Sequence, residues 1–326
     1  MSHRMMGQMS LAESIVARRK PKHWLEAVYE LVDWERLAER LAELYAAREG
    51  RPSYPPIVML RALLLQQWHR LSDPELEAAL EDRISFRQFA GLPFDEQVPD
   101  HSTISRFRAQ LAARGLDEAL FSEVSAQLER QQLVIKRGTL IDASLVRAAV
   151  KEPSAGERGE NLGQGSPLDP DAQWTRRKGQ GAHFGYKAHV AVDLGSGLIR
   201  RALLTGAKTN DSEPADQLIC GDESAVFADK AYDSGARREL LRRLAIADGI
   251  MRRAWWGTAR NPDPLLTARN SALARIRFQV ERAFAVMKLH YAYRRVRYRG
   301  LLRNRVQLLT MCIAINLKRA LVLSTA

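Results

Sequence analysis

Cysteine is nearly missing from this chain. Cys220 and Cys312 are the only two among 326 residues, and they stand in unrelated contexts. That excludes a disulfide framework and CxxC metal spacing, and it favours a reducing compartment. Long apolar runs are missing too. The opening MSHRMMGQMSLAES has no signal-type apolar stretch, and no run approaches the roughly 18 residues of a membrane helix. The most apolar segment, Leu308 to Leu317, is interrupted by Asn316 and flanked by cations, so it reads as a buried terminal helix. These absences point to a cytoplasmic protein with no membrane association. There is no internal repeat.

Acids are scarce in one block. From Met251 to Gly300 there are twelve Lys and Arg against two acids, a local net charge of +10 within a chain whose formal charge is +12. A solvated face usually mixes signs, so the imbalance points to a polyanion, with nucleic acid first. Apolar residues make up 46% and charged residues 27%. A chain of this length and composition can bury a large core and divides naturally into two domains.

Residues 1–135 read as all-helical, with apolar positions at helical spacing and no period-two run. Helices are expected over His23 to Arg48, Pro56 to His69, Pro74 to Glu81, Ile84 to Ala90, Thr103 to Ala113 and Glu118 to Gln131. Ser72-Asp-Pro-Glu75 is a capping box, and Gly91 and Gly115 sit where helices end. In VPDHSTISRFRAQL, Ile104, Phe107 and Leu111 form an apolar stripe. Ser102, Thr103, Ser105, Arg106, Arg108 and Gln110 are left outward, which suits groove or phosphate contact.

The texture changes at Gly138. GTLIDASLV reads as a strand carrying Asp142, an acid that needs a partner or a metal in a buried strand. Residues 153–181, rich in Gly, Pro, Ser and charge, read as a flexible basic excursion. HFGYKAHVAVD and LIRRALLTG form a hairpin around Leu194-Gly-Ser-Gly197. A helical piece around Ser212 to Ile219 leads to a strand in SAVFADKAYDS that ends on Asp229. GARRELLRRLAIAD follows as a helix with a basic face, then GIMRRAWW as a short strand. ARIRFQVERAFAVMKLHY, Ala274 to Tyr291, has no Pro or Gly and carries an apolar stripe of Leu273, Ile276, Val280 and Met287. At about 100° per residue its Arg277, Glu281 and Lys288 share one face within roughly 40°. Leu301 to Leu323 closes the chain as a helix. The sum is an α+β architecture: a mixed sheet flanked by helices over residues 136–326, preceded by the helical domain.

Three acids without a His or Cys cluster favour hard, oxygen-seeking ions, Mg²⁺ or Mn²⁺ before zinc. Two such ions suit in-line phosphoryl displacement. Arg277 and Lys288 on the Glu281 face are candidates to clamp DNA phosphates that the acids would repel. Other acids have ordinary readings: Asp193 precedes a turn, Asp211 reads as a helix cap, and Asp233 is placed to support the site from behind. His183 and His189 read as packed or surface residues before catalytic ones. Lys230 and Tyr232 flank Asp229 and are candidate DNA contacts. Trp255 and Trp256 suit a strand-end core or stacking on an unpaired base. Arg294, Arg295, Arg297 and Arg299, interleaved with Tyr291, Tyr293 and Tyr298, suit backbone binding.

TLIDASLV, VFADKAY and RFQVERAFAVMK resemble the three acid-bearing motifs of the DDE transposases of bacterial insertion sequences, in the group often called IS-five within the IS-four-like superfamily. The helical region resembles that group's N-terminal domain. The resemblance implies a ribonuclease-H-like core of the retroviral-integrase superfamily, with Asp142, Asp229 and Glu281 as catalytic metal ligands. It also implies cutting and joining at the element's inverted repeats and target DNA, by a homodimer. The superfamily's Tyr, Arg, Glu, Lys pattern is matched at Arg277, Glu281 and Lys288, while Ala274 stands at the Tyr position. The rival readings are a nuclease of the same fold that does not join ends, and a silent DNA-binding derivative.

Overall fold

The computed structural model describes residues 23–45, 53–151, 166–176, 181–253 and 263–325. The chain forms two compact units, Met1–Gln131 with Leu309–Ala326 and Gln132–Leu308. The first unit runs to Gln131, and the last stretch of the chain is grouped with it.

The first unit is helical: α1 Trp24–Leu31, α2 Trp34–Leu41, α3 Pro56–His69, α4 Asp73–Asp82, α5 Ile84–Ala90, α6 His101–Arg114 and α7 Leu116–Arg130. The single helix expected from His23 is broken. Asp33 in extended conformation caps α2 by accepting from the Arg36 N–H, and the chain then tightens into a 3₁₀ turn over Ala42–Tyr45. Residues 46–48 lie outside the described set. Helix α3 is buried around most of its circumference, as suits a central helix. The Trp68 indole N–H donates to the Ala314 carbonyl at 2.9 Å, tying α3 to the C-terminal stretch within this unit. The capping box is present: the Ser72 N–H donates to Glu75 Oε2 at 2.7 Å, and Ser72 Oγ accepts from the Glu75 N–H.

In the second unit the strands are β1 Thr139–Arg147, β2 Gln173–Arg176, β3 Ala182–Asp193, β4 Ile199–Gly206, β5 Ala225–Ala228 and β6 Ala247–Ile250. They form one mixed sheet in the order β2-β3-β1-β5-β6, with β4 also on β3. The β3 pairings with β1, β2 and β4 are antiparallel, whereas β1 with β5 and β5 with β6 are parallel. Helices α8 Gly235–Arg243, α9 Pro264–Arg277 and α10 Gln279–His290 flank it, and α11 Leu301–Ser324 begins here. One sheet face buries Ile141, Ala191, Val226, Ala228, Tyr232, Leu241 and Ile250 in a single cluster. Although α11 is long and apolar enough to cross a membrane, 72% of its most apolar window is buried inside the protein, as in a core helix.

Several local expectations change. The helix from Ala274 breaks at Phe278 into α9 and α10. The piece at 212–219 is only a 3₁₀ turn, Ala215–Leu218. The last strand starts at Ala247 and ends at Ile250; Trp255 and Trp256 lie outside the described residues. Within the expected excursion, 166–176 is packed. Asp169 is buried and accepts from the Tyr186 hydroxyl at 2.6 Å, and Trp174 lies 5.1 Å from Phe184.

Candidate active site

Asp142 lies on β1, held between β3 and β5. Parallel pairing sets Thr139 beside Val226 and Leu140 beside Phe227. Counting two residues further brings Asp142 level with Asp229, which follows β5 directly. Because side chains alternate across a strand, both acids fall on the face opposite the Ile141, Val226 and Ala228 cluster. Asp229 caps the 3₁₀ turn Lys230–Tyr232, accepting from the Ala231 N–H at 2.7 Å.

Glu281 sits in the first turn of α10. That helix buries Val280, Ala283, Phe284 and Met287, an i, i+3, i+4, i+7 stripe, and packs against β1. Arg277 joins the two acids: its Nη1 donates to Asp142 Oδ2 at 2.9 Å and its Nη2 lies 3.6 Å from Glu281 Oε1. The break at Phe278 leaves this i, i+4 pair intact. Lys288 is half-buried further along α10.

The electrostatics set Asp142 apart. Burial raises its proton affinity above the ordinary carboxylate range. A hydrogen bond from the Ala143 N–H and the Arg277 charge oppose this, and Asp229 and Asp211 push it further up. Carboxylates are pooled here beyond what one guanidinium offsets, and all the donors are oxygen. Such a set fits a hard divalent ion. The three acids are not drawn into a tight cage, however. Among the described residues, the trio of ligand atoms lying within 4.8 Å of one another is Cys220, Asp222 and Glu223. Those acids have partners already: Asp222 pairs with Lys136 and Arg200, and Glu223 accepts from the N–H groups of 220, 221 and 222.

The residues around the acids were less visible in the sequence. Asp211, read as a cap, pairs with the buried Lys187 on β3 at 2.6 Å. Arg237, read as part of a basic face, is buried. Its guanidinium bonds Asp216, Ser212 and the Tyr232 carbonyl, so it staples the loop after Asp211 to the turn after Asp229. An arginine with partners about twenty residues away leaves no local signal. Asp233 accepts from the Arg253 N–H at 2.9 Å and pairs with Arg238, and Arg253 donates to the carbonyls of Lys230 and Ala231. His189 is fully buried, with Nε2 2.9 Å from Thr205 Oγ1.

Among the expected DNA contacts, Arg108 is corrected. It is 3% exposed and ion-paired to Asp73 at 2.6 Å, so it faces inward. Arg106 and Lys230 are exposed. Tyr232, at 1% exposure, is beyond reach of DNA. In the arginine run, Tyr291 and Tyr293 are core while Arg294, Arg295 and Arg299 are exposed and Arg297 is half-buried.

Residues 135–317 match the family described as "Transposase DDE domain", and residues 13–110 match "Transposase domain (DUF772)". The chain belongs to the DDE transposase family. Its sheet order and flanking helices are the ribonuclease-H-like fold of that family, and the family implies DNA endonuclease and transposase activity with divalent metal ions. Two solved transposase structures are distantly similar. The piggyBac transposase synaptic complex with hairpin DNA matches over 90% of this chain and 71% of that one, at 11% identity and a TM-score of 0.43. The Mos1 strand transfer complex matches over 94% and 92%, at 13% identity and a TM-score of 0.20.

Proposed function

We propose that this transposase belongs to the IS-five group of bacterial insertion sequences, cutting DNA at the element's inverted repeats and joining the freed ends to target DNA. The observation that carries the reading is the Asp142–Arg277–Glu281 bridge, with Asp229 directly after the strand that pairs with β1. In this reading Asp142, Asp229 and Glu281 are the catalytic acids and would hold two Mg²⁺ or Mn²⁺ ions. Bound there, the ions would activate an attacking oxygen and stabilise the leaving one.

The chain's own residues do the rest. Strand β1 and the turn after β5 fix two carboxylates, and the apolar stripe of α10 fixes the third. Arg277 supplies the counter-charge that lets the acids stand together. Lys288, Arg295 and Arg297 of the cation-rich block and the exposed Lys230 serve as phosphate contacts in this reading, and Arg106 serves the helical domain, residues 1–135. A homodimer handling two DNA ends, and a place at the bacterial nucleoid, complete the proposal.

The test is incubation of the purified protein with labelled element ends, with and without Mg²⁺. Asp142→Asn should lower cleavage by about three orders of magnitude or more, since an ion at a reacting phosphate is worth several kcal/mol. DNA binding should survive. Cleavage without joining of pre-cut ends would favour the simple nuclease, and unchanged cleavage by Asp142→Asn would end the metal-acid reading.

A further inference from the structure

Most arginines of the helical unit are already engaged. Arg108 is ion-paired to Asp73, Arg40 and Arg130 to Glu123, and Arg36 to Asp33, while Arg87 donates to the carbonyls of Leu80, Pro93 and Glu96. Arg61 is buried over the rings of Tyr29 and Trp34. Acids also outnumber arginines by 19 to 12 over residues 23–131, a stretch with no lysine. Taken as a whole, such a unit repels a polyanion. To hold DNA it must gather cations somewhere with no acid beside them.

They gather where α1 and α5 begin and α3 ends, beside α11. A row of rings lies there: the His69 centroid is 4.7 Å from that of Phe86 and 6.2 Å from that of Trp24, and Trp24 is 5.8 Å from His23. A cation stands at each end of the row. The Arg83 guanidinium is 4.9 Å from the Phe86 centroid, and Lys318 Nζ is 4.4 Å from that of Trp24. Arg83, Lys318 and His23 are exposed, and Trp24 and His69 are half-buried. Neither Arg83 nor Lys318 is ion-paired to an acid among the described residues. Burial first, then the charges of Arg83, Lys318 and His23, lower the His69 pKa, and no carboxylate offsets them. The sequence just before His23, Arg18-Arg19-Lys20-Pro21-Lys22, adds four cations, although it lies outside the described residues. One cation over one ring is ordinary surface packing. Two cations from distant parts of the chain, converging on one row of rings and left unpaired in an otherwise acidic unit, are a held charge with nothing in the fold to neutralise it.

We propose that this patch, Arg83 and Lys318 over the rings of Phe86, His69 and Trp24, is a surface on which the helical unit grips the phosphate backbone of duplex DNA. The inference rests on the reading above that the protein acts on DNA, and it adds a second place of contact to Arg106 on α6. Rings beneath the cations fix their position and keep water from one side, so less order is lost when a phosphate arrives. Backbone contacts carry no sequence information, so the patch sets affinity and not the choice of DNA end.

The experiment measures binding of the full-length protein to two labelled duplexes of equal length, an element end and an unrelated sequence, over a series of salt concentrations without Mg²⁺. In the double variant Arg83→Gln with Lys318→Gln, the slope of log affinity against log salt should fall by about 2, one for each phosphate contact removed. Both duplexes should weaken alike. The variant should melt close to the wild type, because both cations are exposed, and Arg83→Lys with Lys318→Arg should keep the wild-type slope. An unchanged slope in the glutamine variant overturns the inference; sedimentation would then show whether the patch holds a second copy of the chain instead. A loss confined to the element end overturns the backbone role. If the wild type itself binds neither duplex, the DNA reading fails with it, whereas steep wild-type binding that the variant shares removes the patch alone.

Discussion

Glu123 in the helical unit and Asp142 in the sheet unit are both carboxylates withdrawn from solvent, and the protein treats them in opposite ways. Burial pushes each upward. Around Glu123, bonds from Arg130, Gln127 and Arg40 outweigh burial and bring its pKa below the ordinary range. Around Asp142 burial wins, and neighbouring acids add to it. A lowered acid adds stability once ionised, above its unfolded pKa, and loses it as pH falls through the folded value. A raised acid costs stability as pH climbs from its unfolded pKa through the folded one. Charge at Glu123 is arranged to hold helices together. At Asp142 it is held at a loss, a pattern that functional sites share.

Arg108 tests the scaffolding half of that contrast and carries the largest expected effect of the stability variants. Its guanidinium is buried against Asp73, which also accepts from Gln66 Nε2 at 2.6 Å. Replacing it with methionine strands that carboxylate and should destabilise the protein by about 3 kcal/mol, near the low end for a broken buried pair because Asp73 is partly exposed. Urea denaturation measures this. A variant of wild-type stability with weakened DNA binding would restore Arg108 as a DNA contact and break the comparison.

His189 carries the contrast into pH. Burial first, with Lys187 adding and Asp211 opposing, lowers its pKa from 6.5 to about 4, so the folded protein keeps it neutral. An unfolded chain takes up the proton below 6.5 and the folded one does not. Stability is therefore complete above 6.5 and is lost as pH falls toward 4. By pH 5 the loss should be about 2 kcal/mol, and His189→Gln should lack that part of the slope. Denaturation at pH 7 and pH 5 for both proteins decides it. An unchanged slope in the variant would place the titration elsewhere.

What the sequence shows and hides follows the same division. Asp142 was legible because an acid between Leu140, Ile141 and Leu145 has no cheap explanation, and Glu281 because charges at helical spacing flank it. Helix ends were legible too: α5 has the expected bounds, since its close at Gly91 is a local signal. Arg108 was not, because its partner lies 35 residues back and an arginine beside an apolar stripe reads as outward by default. Asp211 and Arg237 were missed for the same reason. Residues 166–176 have the composition of a loop, but one buried Asp169 under Tyr186 orders them. Long-range pairing of charge, on which both the scaffold and the site depend, has no period for a sequence to display.

The smallest expected effect is also the one that sharpens the comparison from its legible end. The N-terminus of α4 is closed reciprocally: Glu75 Oε2 accepts from the Ser72 N–H at 2.7 Å and from Ser72 Oγ at 2.8 Å, while Ser72 Oγ accepts from the Glu75 N–H. Ser72→Ala removes the hydroxyl and leaves the backbone bond, so the loss should be about 1 kcal/mol, as for other N-caps. The box is exposed, and water can take over what the hydroxyl did, which keeps the figure well below that for Arg108. A double variant, Ser72→Ala with Arg108→Met, is the sharper measurement, because Asp73 sits between the two as the first residue of α4. If cap and buried pair are independent, the two losses add. A combined loss clearly below that would mean that the cap holds Asp73 in place for Arg108, so that a feature readable within four residues supports one that no local reading reveals.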